Sequence, residues 1–266
     1  IEVTDEYGVT HRVWKVSDMS TINILLGAME DKKLIIADGH HRYETALTYS
    51  REHAPTSVAH TERNLANTIP RPAYPEAAVM MSFINMDSTG ITILPTHRVV
   101  FGLSNFDPAA FLDRAQKFFQ IQPAPASDAD GLTRLLARQP GTAFIAVTRA
   151  GYHLLNARPE AVTQALAQLP ERQRRLDLIQ LHSLVLQQLL GITPEAILEQ
   201  QNLRYVRDAG EAIEQVWDGQ AEIAFLTNPI TLGQLREVAF AGDVMPQKST
   251  DFFPKLLSGL AIYALD

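Results

Sequence analysis

Apolar positions recur along this chain with two different periods, and the switches between them mark out its elements. His11 to Val16 alternates weakly, as a strand does, and Ser20 or Thr21 is placed to cap a helix running to about Glu30. Leu34-Ile35-Ile36-Ala37 is a short apolar run bounded by charge and by Asp38-Gly39, the pattern of a buried strand. Helical spacing follows at once, with Tyr43, Ala46, Leu47 and Ser50 on one face and Arg42, Thr45, Thr48 and Arg51 elsewhere. The stretch from Ile69 to Pro75, with prolines at 70, 72 and 75, must be loop. Residues 77–85 and 91–100 read as two strands of a hairpin around Asp87-Ser88-Thr89-Gly90.

Beyond a connection at 102–108 the pattern predicts helices at 108–119 and 128–138, then strands at 142–149 and 151–156. Helices near 158–168, 174–190 and 193–200 follow, then a strand at 203–207, a helix at 209–217, a strand at 221–227 and a helix at 230–238. Residues 245–254 read as loop, and apolar Leu256 to Tyr263 closes the chain. Helices interleaved with strands predict an α/β (α+β) architecture. The connection divides the chain into an anion-binding part at 1–103 and a mixed α/β part at 104–266.

Composition narrows the function classes. A chain of 266 residues can bury a substantial core. Its formal charge of −7 provides no global positive field, so nucleic acid and anionic membranes are disfavoured partners. Without cysteine there are no disulfides, thiolate nucleophiles or zinc–cysteine sites, which fits a cytoplasmic address. The longest apolar-rich stretch, Leu176 to Leu190, is broken by Asp177, Gln180, His182, Ser183, Gln187 and Gln188, too often for a membrane span. The opening Ile1-Glu2-Val3 reads as a cut into a longer protein.

The chemistry concentrates at Asp38-Gly39-His40-His41-Arg42. Where a strand breaks directly into a helix, the first backbone N–H groups have no intrahelical partner and the helix dipole adds partial positive charge. Gly39 permits a tight turn, and His40, His41 and Arg42 add donors, Arg42 in a fork suited to phosphate. The sum is an anion site, most naturally for phosphate. Asp38 holds a metal ion, accepts a substrate proton or simply caps the helix; direct metal binding by both histidines is disfavoured. His97 and Arg98 either join this basic pocket or form an exposed loop pair.

Lys248, Ser249, Thr250 and Lys255 make a donor-rich loop, read as an anion or substrate contact. It is not a P-loop, because Gln247 replaces a glycine and Pro246 removes a backbone N–H. His182 reads as a core histidine, Thr227-Asn228-Pro229 as a strand end able to line a site, and Arg172, Arg174 and Arg175 as a solvated helix start.

The string Ile35-Ile36-Ala37-Asp38-Gly39-His40-His41-Arg42-Tyr43-Glu44-Thr45-Ala46 resembles the signature of the domain-of-unknown-function family 1015. So do Asn85-Met86-Asp87 with Leu94-Pro95-Thr96-His97-Arg98, and Met245 to Thr250 with Phe253-Pro254-Lys255-Leu256. Family members are normally longer at the N-terminus. The Asp-Gly-His-His-Arg core is also similar to the ParB/sulfiredoxin-like superfamily, which includes partition proteins, sulfiredoxin and free-serine kinases. That likeness implies a ParB/sulfiredoxin-like N-terminal portion followed by a mixed α/β C-terminal portion, whose loop 245–255 returns to the site. It implies a nucleotide- or phosphate-binding enzyme, in its sharpest form a small-molecule kinase acting on a serine-like hydroxyl with ATP or ADP and Mg²⁺. Asp38, His41 and Lys248 would be catalytic; Gly39, His40, Arg42, His97, Arg98, Ser249 and Thr250 would bind the nucleotide. The alternative is a non-catalytic nucleotide-binding regulatory module of ParB-like type.

Overall fold

The computed structural model describes residues 1–55, 72–126 and 128–265. The chain forms two compact units, Ile1–Thr92 with Pro254–Asp266, and Ile93–Phe253. Residues 93–103, grouped by sequence with the N-terminal part, therefore lie in the second unit.

In the first unit, strands β1 (Glu2–Thr4) and β2 (Thr10–Arg12) pair antiparallel, Val3 opposite His11. Buried His11 meets Asp5 at 2.9 Å across the turn, and this hydrogen bond holds the Asp5 carboxyl below the usual carboxylate range. Helix α1 (Met19–Met29) is capped by Asp18, which accepts from the Thr21 N–H at 2.8 Å, so the cap is two residues earlier than the expected Ser20. Helix α2 (His40–Glu52) begins where the periodicity places it.

Two expected strands do not form. Residues 34–37 make no strand, with Leu34 61% and Ile36 51% exposed. Residues 78–85 likewise make no strand, and Met80, Met81, Phe83 and Ile84 are exposed, so the hairpin with 91–100 is absent. An apolar run becomes a strand only when another strand satisfies its N–H and C=O groups. Among the described residues that unit pairs its own strands only as β1 with β2. Of the proline-rich stretch, residues 69–71 lie outside the described residues, and Pro75–Ala77 form a single 3₁₀ turn.

The second unit opens with β3 (Thr92–Leu94), β4 (His97–Val100), α3 (Pro108–Ala115), β5 (Phe119–Pro123) and α4 (Ala129–Ala137). Strands β6 (Ala143–Thr148) and β7 (Gly151–Ala157) lead to α5 (Pro159–Ala165), α6 (Glu171–Arg174), α7 (Asp177–Gln180) and a π-helix, Leu181–Leu189. Then come α8 (Pro194–Leu198), β8 (Leu203–Val206), α9 (Ala209–Trp217), β9 (Ile223–Leu226), α10 (Leu232–Phe240) and β10 (Asp251–Phe253). Six strands form one antiparallel sheet in the order β5-β7-β6-β9-β4-β8, while β3 pairs with β10.

Side chains alternate across a strand, so a strand apolar at every position is buried on both faces. Strand β6 shows this: Phe144 and Ala146 pack with Phe111, Leu184 and Val185 on one side, while Ile145 and Val147 pack with Leu132, Leu136, Ala212 and Val216 on the other. Helices α4 and α9 thus cover one face, and α3 with the π-helix covers the other. Strand β5 was hidden at the end of an expected helix; its buried Phe119 and half-buried Ile121 alternate with Gln120 and Gln122. The helix expected over 174–190 breaks at Arg175–Leu176 and resumes as α7 and the π-helix, where the Leu190 N–H reaches Val185 O, five residues back, at 2.9 Å.

Asp107, Asp128, Thr193, Asp208 and Thr231 each cap a helix with a side-chain oxygen. Thr231 and Gln234 form a complete capping box at α10. Thr231→Ala is expected to cost about 1 kcal/mol, read as a lower urea midpoint at unchanged slope.

Candidate functional site

Helix α2 starts abruptly. Gly39 adopts φ 80° and ψ 25°, a left-handed conformation that costs a residue with a Cβ about 1–2 kcal/mol. The Tyr43 N–H is the first to find an acceptor within the turn, Gly39 O at 3.0 Å. The amides of His40, His41 and Arg42 precede it, and among the described residues no side chain caps them. Asp38 does not act as the cap: its carboxylate accepts from the Gly39 N–H at 2.9 Å, one residue too early.

Cationic groups gather around the same point. The Asp38 carboxylate is 3.9 Å from Arg42 Nη2 and 3.8 Å from Lys255 Nζ. His41 Nδ1 lies 3.6 Å from Glu44 Oε2, with both side chains largely in solvent, and the His40 and His41 rings sit 4.0 Å apart. His41, Arg42, Thr45, Ala46 and Tyr49 line a shallow open hollow along the helix. Asp38, Gly39, His40, His41 and Arg42 are therefore together, and Lys255 joins them. The strand expected to lead into the turn does not form.

The other expected site residues belong to the second unit. His97 and Arg98 are buried rather than an exposed loop pair, 1% and 0% exposed. His97 Nδ1 accepts the Thr227 N–H at 3.2 Å, and burial, reinforced by the Arg98 charge, pushes its pKa down to about 4. Arg98 donates to the carbonyls of Thr96, of Gln247 at 3.5 Å and of Lys248 at 3.1 Å, and its guanidinium lies 5.2 Å from the Tyr205 ring. Burial lowers its pKa to about 10, which leaves it charged at neutral pH.

Arg98 thus joins β4 to the 247–249 segment, where Lys248 takes a left-handed φ of 55° and the Ser249 hydroxyl donates to Pro246 O at 2.5 Å. Thr250, beside them, is half-buried. Thr227 and Asn228 make structural bonds, the Thr227 hydroxyl to Thr96 O at 3.0 Å and the Asn228 amide to Leu136 O at 3.2 Å. Arg175 pairs with Glu171 in solvent, as a solvated helix start would, whereas Arg172 forms a part-buried pair with Asp243.

His182 is a core residue on the π-helix, its pKa driven to about 3 by burial and then by Arg98. Sequence reasoning passed over Tyr205; the signal for it is register, because it stands directly opposite Arg98 across the β4–β8 pair.

A family model described as "Protein of unknown function (DUF1015)" matches residues 1–179. The chain belongs to the DUF1015 family. Two of the three stretches that carry the resemblance fall inside this match, and the third, at 245–256, lies beyond it. Similar solved structures include a conserved hypothetical protein from Pyrococcus furiosus, 13% identical over 64% of this chain and 59% of that one, with a TM-score of 0.36. A free serine kinase in complex with AMP is 16% identical over 64% of this chain and 56% of that one, TM-score 0.37. A mutant free serine kinase with AMP is 15% identical over 64% and 57%, TM-score 0.38. The DUF1015 chain thus spans 56–59% of the length of these structures. No curated protein matches it. Among the described residues no helix is long and apolar enough to cross a membrane.

Proposed function

We propose that the first unit binds a phosphate group, that of a nucleotide, at the start of α2, and that the protein is a phosphotransferase acting on a small hydroxylated metabolite. The observation that carries this reading is the trio of uncapped amides at His40, His41 and Arg42, held open by left-handed Gly39. Such amides with the helix dipole favour an anion, and the Arg42 fork suits a phosphate oxygen pair. The hollow lined by His41, Ala46 and Tyr49 supplies aromatic and apolar surface on which a base can stack. A ParB/sulfiredoxin-like reading of this unit belongs to the same proposal.

Transfer of a phosphoryl group demands positioning and charge neutralisation more than covalent help from the protein. In this scheme the amides and Arg42 hold the phosphates, and Asp38 accepts the proton leaving the substrate hydroxyl. Mg²⁺ would enter with the nucleotide and keep mostly water and phosphate ligands; a contact from Asp38 to the metal is the alternative to its role as base, not an addition to it.

Calorimetry with ATP, ADP and CTP in the presence of Mg²⁺ tests the binding. Arg42→Ala is expected to weaken it about 10- to 100-fold, the worth of a charged hydrogen bond. An unchanged affinity removes Arg42 from the site. A coupled assay with serine, homoserine and glycerate tests the chemistry; nucleotide binding with no turnover on any of them favours the regulatory module instead.

A further inference from the structure

Arg98 presents a problem that the first unit's site does not solve. Its guanidinium is wholly buried, yet among the described residues no carboxylate lies within ion-pair distance of it. Asp251, which follows residues 247–250 on β10, is engaged by Arg207 at 2.5 and 2.9 Å. A buried cation without a counter-charge is costly, and backbone carbonyls compensate it only in part. Among the described residues Arg98 Nε has no hydrogen-bond partner, and neither has Tyr205 Oη nor His182 Nε2, all three atoms being buried.

One of these orphans belongs to the buried charge itself, and another stands across the sheet from it. Tyr205 is the cross-strand partner of Arg98 with its ring 5.2 Å from the guanidinium carbon, and it packs against the core cluster that includes Leu181 and Leu184 of the π-helix, the helix that carries buried His182. Each can donate: Nε–H of arginine, the phenol O–H, and imidazole Nε2 in the tautomer protonated there. Buried polar atoms left unpaired in a native fold call for a water, an ion or a function. π-helical turns, in turn, concentrate at functional sites.

We infer that the second unit carries its own small-oxyanion site, centred on Arg98, with Tyr205 and His182 as the flanking donors and residues 246–250 as the strap that closes it. The Gln247 and Lys248 carbonyls occupy the guanidinium's Nη2, where an anion's oxygens would bind once the strap lifts. Left-handed Lys248 holds that strap in a conformation unfavourable for a lysine, which lowers the barrier to opening it. An anion reaching Arg98 would displace these two carbonyls, and the class inferred is a phosphoryl group, either free phosphate or the phosphate end of a metabolite. Its residues all belong to the second unit, whereas those at α2 belong to the first.

The test uses the full chain carrying Arg42→Ala, which weakens phosphate binding at α2, titrated calorimetrically with inorganic phosphate. One phosphate per chain is expected to bind. Adding Tyr205→Phe, which keeps the ring and removes only the hydroxyl, is expected to weaken it about tenfold, and His182→Leu likewise. Displacement of phosphate by glycerol phosphate identifies a metabolite as the source; failure to displace it identifies free phosphate. No phosphate binding to the Arg42→Ala chain overturns the inference, as does unchanged affinity in a folded Tyr205→Phe protein. Should wild type and Arg42→Ala bind phosphate with equal number and equal affinity while Tyr205→Phe weakens it, the Arg98 site stands and the α2 reading fails.

Discussion

Acidification from pH 7 to pH 4 is expected to strip on the order of 5 kcal/mol of stability from the second unit, through two histidines that fold neutral. His97 and His182 have folded pKa values of about 4 and about 3, depressed chiefly by burial, against 6.5 unfolded. As pH falls below 6.5 the unfolded chain takes up protons that the folded chain refuses. The stability these residues contribute is therefore complete above pH 6.5 and is lost progressively down to about pH 4 for His97 and pH 3 for His182. Each proton withheld is worth about 1.4 kcal/mol per pH unit. Asp177 acts in the opposite sense: burial raises its carboxyl pKa despite the Thr142 hydroxyl at 2.7 Å, so it adds stability on the acid side. His97→Asn keeps an acceptor for the Thr227 N–H, and His182→Gln keeps a polar group of similar reach. Each variant is expected to reduce the pH slope of the urea-unfolding free energy by about one proton between pH 6.5 and 4.5. Wild-type slopes in both variants contradict the assignment.

The second large effect is in the sheet itself. Phe225→Ala is expected to destabilise the second unit by about 3–5 kcal/mol. Its strand β9 lies between β6 and β4, and its ring is fully buried, 5.9 Å from Phe111 in an edge-to-face contact. The register sets Phe225 beside Arg98, so the cavity opens against the buried cation as well as against apolar neighbours. Phe83→Ala is the matched control: its ring is 58% exposed, and the change is expected to fall within about 0.5 kcal/mol. Chemical denaturation of both variants checks the pair, and equal effects contradict the packing described.

Sequence pattern reads well where burial dictates it. The run Ala143 to Thr148 could hardly be anything but a strand covered on both faces, and the amphipathic spacing of Leu132 with Leu136, and of Ala212 with Val216, fixed α4 and α9. It misleads where a run is apolar but unpaired. Leu34 to Ala37 and residues 78–85 have strand-like sequences, and the partner that makes a strand is not written in the run itself. The start of α2 was legible because Gly39 and the following periodicity are local features. The burial of Arg98 was not: Thr96-His97-Arg98 is polar in sequence, and only the β4–β8 register and the returning 247–248 carbonyls place it inside.

Nitrogen-15 NMR of the full chain titrated with ADP and Mg²⁺ probes the α2 site at the atoms that define it. The backbone amides of His40, His41 and Arg42 are predicted to shift downfield together, saturating with the affinity found by calorimetry, and Arg42→Ala is predicted to weaken all three responses in parallel. ADP binding that leaves these three amides unmoved contradicts the account.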